Sequence, residues 1–106
     1  MQYSAFLKTL AAGDPELRES MAFGSRVANA VAFYYKRNRC MLLYEAYNAV
    51  GRSMLNLHKP AERSAAMKEV WVLIQLWASI TGLELTETLI QDAIDNPEVI
   101  RICRRC

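Results

Sequence analysis

Apolar residues recur at steps of three and four along most of the chain, and no run alternates with the period of two that marks a half-buried strand. Between residues 15 and 56, Leu17, Met21, Gly24, Ala28, Val31, Tyr35, Leu42, Ala46 and Ala49 fall on one helical face. The interruptions are capping chemistry. Asp14 precedes Pro15 and Glu16, Lys59 precedes Pro60, and Asn96 precedes Pro97, so each proline sits where a helix can begin without a missing N–H being felt. Gly13 and Gly82 stand where helices end, and Thr86 offers a further N-cap. The pattern predicts an all-α fold, a small helical bundle in one domain over 1–106. It has a short helix near 3–12, one long helix near 15–56, a central apolar helix near 60–81, and two short C-terminal helices near 87–95 and 97–104.

The 60–81 segment says most about packing. At about 100° per residue, Ser64, Lys68, Gln75 and Ser79 form one narrow polar stripe. Val70, Trp71, Leu73, Ile74, Leu76, Trp77 and Ile80 cover most of the remaining circumference. A helix this apolar has to be surrounded, either by its own domain or by its domain on one side and a partner on another. Trp71 and Trp77 are the large side chains that such a partner would engage. The richest run, VWVLIQLWASI at 70–80, follows Lys68 and Glu69 and is too short for a membrane span.

Composition narrows the class. With 53% apolar and 23% charged residues, the chain is too hydrophobic for disorder, and its apolar surplus points to a buried contact with a protein partner or a second copy. The start, MQYSAFLKTLAAG, has no basic segment ahead of its apolar residues, which argues against a secretory leader. The three cysteines, Cys40, Cys103 and Cys106, make no disulfide framework, so a cytoplasmic location is expected.

The net charge of +2 hides an uneven distribution. From residue 20 to 59 there are six cations (Arg26, Lys36, Arg37, Arg39, Arg52, Lys59) against the single acid Glu45; from 84 to 98 there are five acids and no base. Opposite the apolar face of the 15–56 helix lie Arg18, Ala22, Arg26, Asn29, Phe33, Lys36 with Arg37, Cys40, Tyr44 and Tyr47. Basic groups neutralise phosphates and rings stack on bases, so Arg18, Arg26, Lys36, Arg37, Arg39, Tyr44 and Tyr47 are the candidate nucleic-acid contacts. The competing reading makes the aromatics a second buried edge and KRNR at 36–39 a solvated turn between two shorter helices.

Other chemistry is set aside. CRRC at 103–106, with Cys40 and His58, lacks the second pair that a zinc site needs, and no phosphate-binding, dinucleotide, calcium-loop or zincin motif occurs. The expectation is a chain without enzyme activity, cofactor, metal, small-molecule substrate or membrane contact. It would serve as a helical subunit of a larger assembly, docking by apolar helix surface and following a nucleic-acid backbone with its basic stripe. In size, helicity and one-sided charge it is similar in general character to the small helical subunits of CRISPR effector complexes. The alternatives are a protein-binding adaptor or inhibitor of the kind phages and plasmids use as regulators, or a self-associating bundle.

Overall fold

The computed structural model describes residues 1–11, 14, 21–56 and 58–95. Five α-helices lie among them: α1 Tyr3–Leu10, α2 Met21–Asn38, α3 Met41–Leu55, α4 Pro60–Thr81 and α5 Glu87–Asp95. No strand occurs among the described residues, as the absence of alternation requires. The helix expected near 97–104 and the first turns of the one expected from 15 lie outside them.

Over the described residues 21–56, the helix expected from 15 to 56 is two helices. Arg39 adopts φ 51, the left-handed conformation that ends a helix, and its N–H bonds the Tyr35 carbonyl at 2.7 Å. The neighbouring carbonyls are also satisfied. Arg37 Nη1 donates to the Phe33 oxygen at 3.0 Å, and Asn38 Nδ2 donates to the Tyr34 oxygen at 2.9 Å. Cys40 is extended, and its carbonyl accepts from Leu43 at 3.0 Å and from Tyr44 at 3.3 Å, which starts α3. Only Arg39 and Cys40 therefore separate the two helices. Gly24, early in α2, lies against Met54, late in α3, so the pair is an antiparallel hairpin. A Cβ at position 24 would overlap Met54 Cγ and Sδ, so glycine here sets how closely the two helices approach.

The remaining boundaries follow the capping chemistry. Pro60 opens α4 with Lys59 as N-cap and Glu62 in the first turn, where the helix dipole favours an acid. Gly82, at φ 74, closes it: Leu83 N–H bonds the Ala78 carbonyl at 2.9 Å and Gly82 N–H bonds that of Ser79 at 3.3 Å, the paired bonds of a Schellman end. Thr86 Oγ1 accepts the Leu89 N–H at 3.2 Å and caps α5.

The most enclosed helix is α2, not the apolar 60–81 segment. Six consecutive residues, Ala30 to Tyr35, are buried. The small side chains of Ala30 and Ala32 let neighbours come close, with α3 on one side and α1 and α5 on others. By contrast α4 buries Met67, Val70, Leu73, Ile74, Trp77 and Ala78, mainly against α3, and leaves its opposite side open.

The left-handed residue between α2 and α3 yields a direct test. A Cβ in that conformation costs about 1–2 kcal/mol. Arg39→Gly is expected to raise the unfolding free energy, measured by urea titration, by up to about 1 kcal/mol, less whatever the Arg39 side chain itself contributes. Arg39→Val is expected to lower it by at least as much.

Candidate functional site

Three consecutive aromatic residues, spaced by the helical rotation, point to three different neighbours and organise the end of α2. Phe33 lies beneath the Arg37 guanidinium, whose Cζ is 3.6 Å from the ring centroid. Tyr34 faces inward to Trp77 of α4, with ring centroids 4.8 Å apart, and its hydroxyl donates to the Leu89 carbonyl of α5. Tyr35 crosses the hairpin to Tyr44 of α3 at 5.7 Å, with Arg39 Cζ 5.5 Å from its ring. Burial, with the charge of the Asp92 carboxylate as a second cause, holds the Tyr34 phenol well above its ordinary value near 10.

The predicted nucleic-acid contacts do not share one surface. Lys36, Arg37 and Arg39 are exposed together at the α2–α3 elbow. Arg26 is half-buried and spent inside the fold, its Nε donating to the Leu10 carbonyl at the end of α1. Phe33 is buried, and Tyr44 and Tyr47 are half-buried against the core. Arg18 lies outside the described residues. The stripe that a continuous 18–47 helix would display is thus folded back at Arg39, leaving a basic corner. Part of that charge has an internal reason: Lys36 and Arg37 occupy the last turn of α2, where cations offset the negative end of the dipole.

The two tryptophans expected at a partner contact are placed in the fold's own packing. Trp77 is 1% exposed, enclosed beside Tyr34, and Trp71 is half-buried against Tyr3 of α1, with ring centroids 5.5 Å apart. Both indole Nε1 atoms are buried without a hydrogen-bond acceptor among the described residues.

What α4 exposes is a strip that periodicity alone did not single out. Val72, Leu76 and Ile80, four residues apart, are 42%, 47% and 73% exposed, and Leu83, turned back by the Schellman end, adds 45%. One turn before Val72, Glu69 pairs with Arg52 of α3 at 2.8 Å, and to one side of the strip Gln75 Nε2 donates to the Met1 carbonyl at 2.8 Å. Leu55 and Met41 are also exposed, both on α3. The signal available in the sequence was the apolar excess of 70–80, which fills a larger arc than one core contact can cover.

Among the described residues, no group of histidine, cysteine and acidic side chains is arranged to hold a metal ion, and no helix is long and apolar enough to cross a membrane. Cys40 is half-buried with a free thiol, and His58 is exposed between α3 and α4. An open hollow between α1 and α5 is lined by Lys8, Thr9, Glu87, Thr88, Gln91, Asp92 and Asp95. In comparisons with known proteins the chain matches no family model, no curated protein and no solved structure.

Tyr34 carries a pH signature with a defined sign. Because its folded value is raised, its contribution is fully present below the unfolded value near 10 and is lost as pH climbs beyond it, where the unfolded chain releases the proton more readily. Tyr34→Phe is expected to cost about 1 kcal/mol at neutral pH through the missing hydrogen bond. It should also flatten the fall in melting temperature above pH 10.

Proposed function

We propose that this chain is a non-catalytic helical subunit that docks onto a protein surface through the outer face of α4. The observation that carries this reading is the row Val72, Leu76, Ile80 and Leu83, which lies exposed on an otherwise well-packed helix. Contiguous apolar surface of this kind is costly in water, whereas scattered single residues such as Leu55 are ordinary. The row sits on a helix fixed by α3 and by the chain's first residues, so it is presented without the ordering cost that a flexible segment incurs on binding.

Extracts of cells that produce the chain test the reading by size. The wild-type protein is expected to elute well above its 12.1 kDa monomer mass, and the double variant Leu76→Glu, Ile80→Glu is expected to elute as the monomer. Its melting temperature should stay close to wild type, since exposed substitutions usually change stability by less than about 0.5 kcal/mol. Elution of both proteins as monomers would remove the docking reading.

The elbow supports a second reading, in which the assembly contains nucleic acid. Lys36, Arg37 and Arg39 project from one exposed corner within four residues, the density of charge that a phosphate backbone attracts. In this reading the contact is local to the elbow. Reversal of Lys36 and Arg37 to Glu is expected to weaken binding to unrelated DNA or RNA sequences alike. It should flatten the logarithmic salt dependence by about 0.7–0.9 for each phosphate that is no longer neutralised, with the helical spectrum intact. Equal affinity and slope in the variant would confine these cations to capping α2.

A further inference from the structure

The three exposed cations of the elbow differ in how they are held. Arg37 Cζ lies 3.6 Å from the Phe33 centroid, contact distance for a flat group on a ring face, and Arg37 Nη1 also donates to the Phe33 carbonyl at 3.0 Å. The guanidinium is thus fixed as a plate backed by the ring, on a residue that is itself exposed. Arg39 is held more loosely, its Cζ 5.5 Å from the Tyr35 centroid. At about 100° per residue, Phe33 and Tyr35 point to nearly opposite sides of α2, and Lys36 points between them, away from the inward direction of Tyr34. Arg37, Lys36 and Arg39 therefore make one outward arc around the end of α2. The rings under it are covered, Phe33 being 7% and Tyr35 8% exposed. What the arc offers to a flat ligand is the guanidinium and not an aromatic ring.

We infer that this arc takes an unpaired nucleic-acid strand, one base stacking on the Arg37 guanidinium while Lys36 and Arg39 meet the flanking phosphates. The inference rests on the nucleic-acid reading of the elbow and adds which form of nucleic acid it holds. A guanidinium plane stacks on a base as an aromatic ring does, whereas an ammonium is a point charge with no flat face. In a duplex both faces of a base are taken by its neighbours, so only an unpaired strand can lay one on the plate. Backing by Phe33 fixes the plate before the strand arrives, which lowers the ordering cost of binding. An acidic polypeptide meets the charge of the arc less fully, because carboxylates engage a guanidinium along its N–H edge and leave the flat face unused.

The test measures, by fluorescence anisotropy, binding of the purified 106-residue chain to oligo-dT, oligo-rU and an abasic strand of equal length and charge. Wild type is expected to hold the base-bearing strands about tenfold more tightly than the abasic one. This comparison needs no variant. Arg37→Lys keeps the charge and loses the plane, so it should bring the base-bearing strands down to the abasic level, with abasic and duplex affinities close to wild type. A base preference in either the dT or the rU series supports the plate, and the more tightly held of the two names the sugar. Equal affinity for base-bearing and abasic strands overturns the proposal, as does an Arg37→Lys chain that keeps the preference or loses duplex affinity in the same proportion. Displacement of oligo-dT by polyglutamate as readily as by unlabelled oligo-dT overturns it in favour of an acidic protein partner. The elbow reading fails separately. If no strand binds, or if reversal of Lys36 and Arg37 to Glu changes nothing, the nucleic-acid reading itself is removed; binding that is indifferent to bases yet lost in that reversal removes only the stacking.

Discussion

Tyr34 is the contact on which the arrangement of helices depends. Its ring lies against Trp77 while its hydroxyl reaches the Leu89 carbonyl, so one side chain of α2 fixes the positions of both α4 and α5. A phenol suits this place because it couples a large apolar face with one polar group that can be paired in the interior. The same burial that makes the contact keeps the phenol protonated. Tyr35 crosses to Tyr44 of α3, while Phe33 packs beneath Arg37 of α2 itself, so Tyr34 and Tyr35 together tie the end of α2 to α3, α4 and α5.

The elbow after that triplet explains why basic residues cluster there. A helix that ends in the middle of a small domain leaves its last carbonyls in need of donors. The side chains of Arg37 and Asn38 and the backbone of Arg39 supply them. Once the turn is made, α3 runs back along α2, and Gly24 permits the close approach against Met54. A surface that looked like one long basic and aromatic stripe is thereby divided. Lys36, Arg37 and Arg39 remain outside, whereas Arg26 serves the end of α1 and the tyrosines join the core margin.

The outer face of α4 results from unequal enclosure. Its inner side is covered by α3, Trp71 is covered by Tyr3, and Gln75 is held by the Met1 carbonyl, but no described element closes over Val72, Leu76 and Ile80. The helix is apolar over a wider arc than its described neighbours use, and the surplus is aligned in a row. The outer face of α4 and the elbow are the two places where the chain presents more than its own packing requires.

The sequence by itself determined the helical class and most helix ends, because those are local matters. Period-four spacing, Pro60 at a first turn, Gly82 at a left-handed end and Thr86 at a cap act within a few residues of where they stand. The split of 15–56 was half visible: KRNR could be read as turn or belt, and nothing local demanded that a residue with a Cβ, Arg39, take the left-handed conformation. Tertiary structure alone decided which apolar face is covered. Periodicity gives the direction of each side chain but not which neighbour lies there, so Trp77 and Leu76, adjacent in sequence and both apolar, become a core residue and a surface residue only when α3 closes over one side of α4. The same reason governs α2, whose Ala30 and Ala32 carry little hydrophobic signal yet admit close neighbours from α1, α3 and α5, which makes it the most buried helix of the fold.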